Sequence, residues 1–126
     1  MIKTLTINIW DREFTLPIEY DCYKGEKTTK EQMVAVKEFA SHQDWIEASK
    51  ENVEAFCKEQ VLEDDENQKK DNIFSYIKPD YLLVKRDKSN PRVAIMCKYR
   101  YDPEHGLAVV FSHEGEITVG IQDIIL

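Results

Sequence analysis

The stretch Arg92-Val-Ala-Ile-Met-Cys-Lys-Tyr-Arg-Tyr-Asp-Pro-Glu-His-Gly-Leu-Ala-Val-Val-Phe111 decides the fold, because it contains two apolar runs around a short polar connection. Apolar runs bounded by Pro and Gly predict β-strands, here over residues 92–101 and 107–111. One face of the first strand is assigned to the core and carries Val93, Ile95, Cys97, Tyr99 and Tyr101. The opposite face is expected to lie in solvent. It carries Arg92, Ala94, Met96, Lys98 and Arg100.

Two further strands flank this pair. Residues 81–85 form an apolar run that is followed by a turn-rich segment, and residues 117–121 alternate after the Gly115 turn. Residues 73–79 predict a short extended or single-turn piece that ends before Pro79. Four strands in chain order with short connections indicate an antiparallel meander.

The N-terminus predicts a β-hairpin. Leu5, Ile7 and Ile9 alternate with polar residues, and a second alternating run follows the polar pair Asp11-Arg12. That run contains Phe14, Leu16, Ile18 and Tyr20. Its Pro17 cannot donate a ladder hydrogen bond, so we expect the second strand to lie at a sheet edge or to carry its proline outward.

Two helices are predicted between the hairpin and the meander. Thr28 and Glu31 have the spacing of a capping box, and Asp44 with Glu47 indicates a second start, with apolar residues at helical spacing to about residue 63. Residues 63–72 contain no apolar side chain and predict a solvated loop.

The fold prediction is therefore an α+β domain with an N-terminal β-hairpin, two helices and a C-terminal antiparallel four-strand meander, with the helices on one sheet face. The length of 126 residues predicts a single domain spanning residues 1–126. Parallel pairing is not expected, because the pattern lacks regularly alternating strands and helices.

Charge and cysteine content narrow the function classes. Lys and Arg total 17 against 24 Asp and Glu, and a net charge of −7 disfavours nucleic acid as a partner. No apolar run of about 18 residues is present, so we expect no membrane span and a cytoplasmic location. Cys22, Cys57 and Cys97 are odd in number and widely spaced, which predicts free thiols, with Cys57 and Cys97 buried, and no structural zinc site.

The connection between the two central strands carries the candidate chemistry. Asp102, Glu104 and His105 have three interpretations: a metal half-site, an acid/base pair, or polar residues of a shaped turn. The eight residues from His105 to His113 span roughly 26 Å as extended chain, so these histidines are not expected to share an ion. Pro103 and Gly106 suit a turn, which favours recognition by a rigid loop over catalysis. We therefore predict no metal, cofactor or catalytic residue, and binding through Tyr101, Asp102, Glu104 and His105.

Two motifs resemble a family of small uncharacterised bacterial domains. The pattern aromatic-Asp-x-Glu-His-Gly occurs at residues 101–106, and Gly-x-Gln-Asp occurs at residues 120–123. The family more often has Trp where this chain has Tyr101. The resemblance implies a bacterial cytoplasmic domain without an established reaction, in which Gly106, Gly120, Gln122 and Asp123 are structural. We hypothesise that Asp123 caps the last short turn, or that the side chain of Gln122 or Asp123 ties the C-terminus to the Glu104-His105 loop.

The leading functional hypothesis is a non-enzymatic protein-interaction module, an immunity or regulatory protein whose acidic or aromatic surface binds an unidentified protein. A basic partner such as a nuclease-type toxin would suit the negative charge. The alternative is a small hydrolase-like or metal-assisted enzyme that uses Asp102, Glu104 and His105. A homodimer that pairs an exposed edge strand, or that buries Trp10 and Tyr20, is a third possibility.

Overall fold

Two helices pack against a six-stranded mixed sheet in the computed structural model, which describes residues 2–22, 25–61, 73–87 and 91–126. The strands are β1 (Thr4–Ile9), β2 (Arg12–Tyr20), β3 (Ile77–Val84), β4 (Val93–Tyr99), β5 (Leu107–Phe111) and β6 (Ile117–Gly120). The helices are α1 (Lys30–Ser41) and α2 (Gln43–Val61). Short 3₁₀ helices span Ile73–Tyr76 and Gln122–Ile124. The solvated loop predicted at residues 63–72 lies outside the described residues.

The predicted arrangement of a hairpin plus a separate antiparallel four-strand meander is wrong. One sheet runs in the order β1-β2-β3-β4-β5-β6, and β2 pairs with β3 in parallel through Ile18–Leu82, Glu19–Leu83 and Tyr20–Val84. A parallel pair needs a long crossover connection, and the segment containing α1 and α2 supplies it. The sheet is therefore mixed.

The two strand prolines lie where no ladder bond is lost. The predicted edge position of Pro17 is wrong, because β2 lies between β1 and β3. The Ile18 N–H donates to the Lys3 carbonyl, so the nitrogen of Pro17 points towards β3, whose pairing begins only at Ile18. Pro79 lies within β3 rather than beyond a short terminal piece, and the register with β4 shifts between Pro79 and Tyr81. The Arg100 N–H donates to the Tyr76 carbonyl, so by the antiparallel alternation the nitrogen of Pro79 points away from β4.

The β1–β2 turn has a strained backbone that its side chains hold in place. Trp10 and Asp11 have φ values of 50° and 70°, which is uncommon for residues with a Cβ. The Trp10 indole is buried 5.1 Å from the Phe74 ring and donates to Ser49 Oγ on α2 at 2.9 Å. Lys50 Nζ lies 2.6 Å from Asp11 Oδ2. These contacts fix the hairpin to α2, and the buried Trp10 is not available for a dimer interface.

The start of α1 differs from the predicted position by one residue and the start of α2 by two. Thr29, not Thr28, caps α1, and its Oγ1 accepts from the Gln32 N–H while Gln32 Oε1 accepts from the Thr29 N–H. The capping box forms with Gln32 rather than with Glu31, because the Gln32 amide also donates to the Asp21 and Val84 carbonyls. These bonds join the start of the helix to the end of β3. The second helix begins at Gln43, so Asp44 lies in its first turn rather than at the N-cap.

The sheet has apolar residues on both faces. The helices cover one face, and α2 contacts both β1 and β6, the two edge strands. The expectation that the second face of β4 lies in solvent is wrong at its centre, because Ala94 and Met96 are fully buried. They form a second cluster in which Ile125 also takes part. Residues near the C-terminus therefore complete this face.

The three cysteines are free, and Cys57 and Cys97 are buried as predicted. Burial raises the pKa of both thiols. Within the described residues, no helix is long and apolar enough to cross a membrane.

Candidate functional site

The connection from β4 to β5 forms a tight corner built around Asp102. The Gly106 N–H donates to the Asp102 carbonyl at 2.8 Å, which closes a helix-like turn of five residues. The Asp102 carboxylate accepts from the His105 N–H at 3.3 Å and lies 3.0 Å from His105 Nδ1. Pro103, Glu104 and His105 are exposed at its tip. We call residues 101–106 together with residues 121–123 the C-terminal corner.

Gly106 and Gln122 lock the two parts of the corner together. The Gln122 N–H donates to the His105 carbonyl at 3.1 Å, and its side-chain amide donates to the Cys97 carbonyl at 3.1 Å. Gly106 has φ +63°, and a Cβ there would lie 2.7 Å from Gln122 Nε2 and 2.8 Å from the Cys97 carbonyl oxygen. Only glycine combines this backbone conformation with such close packing. The Gln122 backbone thus ties the C-terminus to the loop, whereas its side chain bonds β4, so the hypothesis of a side-chain tie to residues 104–105 is wrong for Gln122.

The remaining residues of the second motif have different environments. Gly120 is buried, and a Cβ there would lie 2.9 Å from Ile124 Cγ2, so it allows the chain to fold back over β6. Asp123 is exposed in the first turn of the Gln122–Ile124 helix. The cap position of that helix is Ile121, and no side-chain bond caps it, so the hypothesis that Asp123 acts as the cap is wrong.

His105 is the electrostatic centre of the corner. Its hydrogen bond to Asp102 raises its pKa above the ordinary histidine value, and the charges of Asp102, Glu104 and Asp123 act in the same direction. The imidazole is about half exposed, with 45% of its side-chain surface accessible. The corner therefore has one titratable ring at the surface, which is hydrogen-bonded to Asp102 and whose pKa the charges of Glu104 and Asp123 also raise.

An aromatic group adjoins these charges. Tyr101 is half-buried, with its ring 5.0 Å from Tyr76 and 5.7 Å from Tyr99 in an edge-on arrangement. The Arg100 guanidinium lies 5.5 Å from the centre of the Tyr76 ring. Tyr76 and Arg100 were not predicted as site residues, because no sequence pattern places the segment before β3 next to the end of β4. The contact depends on the β3–β4 pairing.

The other two histidines belong to different surfaces. His113 Nδ1 lies 2.8 Å from Glu38 Oε1 on α1, and His42 stacks on Trp45 with ring centres 4.0 Å apart. In the described part of the chain, no group of three or more His, Cys, Asp or Glu side chains is placed to hold a metal ion. The corner residues Tyr101, Asp102, Glu104 and His105 do lie together, as one continuous turn.

A polar cleft lies elsewhere, beside the strained hairpin turn. Trp10, Asp11, Arg12, Lys50, Glu54, Phe74 and Ser75 line a space of about 480 Å³. Its cations are already engaged: Arg12 donates to the Phe74 and Ile77 carbonyls, and Lys50 pairs with Asp11 and Glu47. These contacts brace the hairpin against α2 and the residues before β3.

The model of a family described as a domain of unknown function, DUF6985, matches residues 2–126. The chain belongs to this family. No curated protein and no solved structure matches it.

Proposed function

We propose that this member of the DUF6985 family is a non-enzymatic protein-interaction module, and that it binds a basic partner through the C-terminal corner. The observation that carries the proposal is the half-exposed His105 held by Asp102 at 3.0 Å, with the exposed carboxylates of Glu104 and Asp123 and the Tyr101 ring in the same corner. Carboxylates attract Lys and Arg side chains, and a tyrosine ring offers a face on which an Arg guanidinium stacks.

Rigidity supports binding at this place. The bonds of Gln122 to the His105 and Cys97 carbonyls hold the corner in one conformation before any partner arrives. A preformed surface loses less conformational entropy on association than a mobile loop does. The net charge of −7 would add long-range attraction for a basic protein.

The proposed setting is the cytoplasm of a bacterium, in an immunity or regulatory role. Three free cysteines suit a reducing compartment. In an immunity role the partner would be a basic toxin, for example of the nuclease type, whose cationic surface the corner would cover.

Affinity capture with matched charge variants tests the proposal. The wild-type protein, a corner variant (Glu104→Lys with Asp123→Lys) and a control variant (Glu13→Lys with Glu19→Lys) are immobilised and exposed to lysate of the producing cells. The control makes the same change in net charge on exposed positions of β2. We expect a protein that the wild type and control retain and the corner variant loses. Equal retention by all three proteins, or none by any, would contradict the proposal.

One observation favours the alternative of a small hydrolase-like or metal-assisted enzyme. Asp102 orients His105 at 3.0 Å, as a carboxylate does in a general-base pair. Metal content of the purified protein and hydrolysis of generic ester and phosphoester substrates test this alternative. The enzyme alternative requires that the purified protein contains bound metal, or that it hydrolyses one of these substrates and loses this activity in the His105→Asn variant.

A further inference from the structure

The edge of the sheet at β1 has a regular backbone. The six pairs of β1 with β2 run without a bulge from Thr4–Pro17 to Ile9–Arg12. The strand Thr-Leu-Thr-Ile-Asn-Ile contains no charge and no proline, although charges, prolines and bulges are the usual protection of a sheet edge. The opposite edge strand, β6, has only four residues.

The register shows which backbone groups point outward. Along an antiparallel pair, hydrogen-bonded and non-hydrogen-bonded residue pairs alternate. The two-residue turn makes Ile9–Arg12 a hydrogen-bonded pair, and the bond from the Ile18 N–H to the Lys3 carbonyl shows the same alternation at the other end of the strand. The N–H and C=O groups of Thr4, Thr6 and Asn8 therefore point away from β2. The Asn8 carbonyl accepts from the Gln43 side chain on α2. For Thr4 and Thr6, the described residues supply no partner to these outward groups.

We propose that a second copy of this chain pairs with β1 in an antiparallel manner, joining two sheets across a two-fold axis at Leu5. Thr4 of each copy then lies opposite Thr6 of the other, and four backbone hydrogen bonds use all the outward groups of these residues. Leu5, which is half-buried in one chain, packs against Leu5 of the second copy.

The charge pattern favours a second copy as the occupant. In this register Lys3 of one copy lies opposite Ile7 of the other, so no like charges face each other along the strand. On the outer face of the joined sheet, Thr4 of one copy lies opposite Thr6 of the other. On the helix side, the two Leu5 side chains lie opposite each other. A strand that pairs with this edge must place apolar side chains on the helix side of the sheet and polar side chains on the outer side. The sequence of β1 has this alternation, so a second copy of β1 fits.

Sedimentation equilibrium of the whole chain tests the proposal. We expect the wild-type mass to rise with concentration towards twice the 14.8 kDa of one chain. Thr6→Pro removes one outward N–H and leaves the β1–β2 bonds intact, so it should give a monomer at every concentration. The matched control is Thr15→Pro, which loses the same Thr6–Thr15 hydroxyl contact on β2 but leaves the β1 edge unchanged. A monomeric wild type, or equal association of both variants, would overturn the proposal.

Disulfide cross-linking tests the proposed β1–β1 pairing without a proline substitution. Opposite residues in a non-hydrogen-bonded antiparallel pair have Cα atoms about 4.5 Å apart, which is within disulfide range. Leu5→Cys, in a Cys22→Ser background that removes the half-exposed native thiol, should form a disulfide dimer when diamide is added. Thr15→Cys in the same background should stay monomeric. Absence of the Leu5→Cys dimer would also overturn the proposal.

Discussion

Single residues decide the shape and charge of the C-terminal corner. The sequence predicted the turn from Asp102 to Gly106, because turn chemistry is local. It did not predict that Gln122 reaches the Cys97 carbonyl, since that bond joins residues 25 positions apart. It also did not predict Trp10 and Asp11 at positive φ, where buried contacts to α2 override local backbone preference.

The His105–Asp102 pair should make stability depend on pH. Because the hydrogen bond raises the folded-state pKa of His105, the pair stabilises the fold fully below the unfolded value of about 6.5. This contribution is lost as the pH rises through the folded-state pKa. The stability advantage of the wild type over His105→Asn should therefore be larger at pH 5.5 than at pH 8.5 in urea unfolding. By NMR titration, Asp102→Asn should lower the His105 pKa, and an unchanged value would contradict the assignment.

Replacing Gly106 should destabilise the fold more than replacing Gly25. Both have positive φ, but among the described residues a Cβ at Gly25 would meet nothing within 4 Å, whereas at Gly106 it would meet Gln122 and the Cys97 carbonyl. We expect Gly25→Ala to cost about 1 kcal/mol from backbone strain alone and Gly106→Ala roughly 2–4 kcal/mol. Urea unfolding of the two variants measures the difference. Equal losses would mean that the close contact is unimportant.

At the scale of elements, the positions of most strands and helices were predictable from periodicity. The boundaries of β5 match the prediction, while the α1 cap moved from Thr28 to Thr29 because the Gln32 amide has buried partners on β3. The second face of β4 was assigned to solvent because it is basic at both ends, with Arg92 at one and Lys98 and Arg100 at the other. The distant Ile125 takes part in burying its centre, which no local pattern reveals.

The hairpin should be coupled to α2 through the Trp10–Ser49 hydrogen bond. Trp10→Phe keeps the ring against Phe74 but leaves the buried Ser49 hydroxyl without its donor. In a double-mutant cycle with Ser49→Ala, we expect a coupling free energy of about 1 kcal/mol, with the double variant less destabilised than the sum of the singles. Strict additivity would show that the bond does not hold the hairpin to the helix.

The segment after β6 should contribute to stability through one side chain. Ile125 is 2% exposed, whereas the neighbouring Leu126 is 69% exposed. We expect Ile125→Ala to lower the free energy of unfolding by about 2–3 kcal/mol, because it opens a cavity beside Met96 and Ala108. Leu126→Ala is the matched control and should change stability by less than about 0.5 kcal/mol. A similar effect of both changes would contradict this role of Ile125.

At the scale of the whole molecule, the parallel β2–β3 pair was the feature that sequence reasoning missed. Alternation identifies a strand and one of its faces, but it does not identify a neighbour more than 50 residues away. The segment containing α1 and α2 forms the crossover that places β3 beside β2, and the antiparallel pairing from β3 to β6 then sets the corner at the end of β4. The location of the site is thus a consequence of the topology.

Amide hydrogen exchange of the protein, free and in complex with the partner retained in the capture experiment, tests the proposed binding surface most directly. If the C-terminal corner is the surface, binding should slow exchange in peptides covering residues 99–106 and 120–126. Peptides from the exposed face of β2, around Glu13 and Glu19, should be unchanged. Protection confined to β2 or to α1, with an unchanged corner, would contradict the proposal.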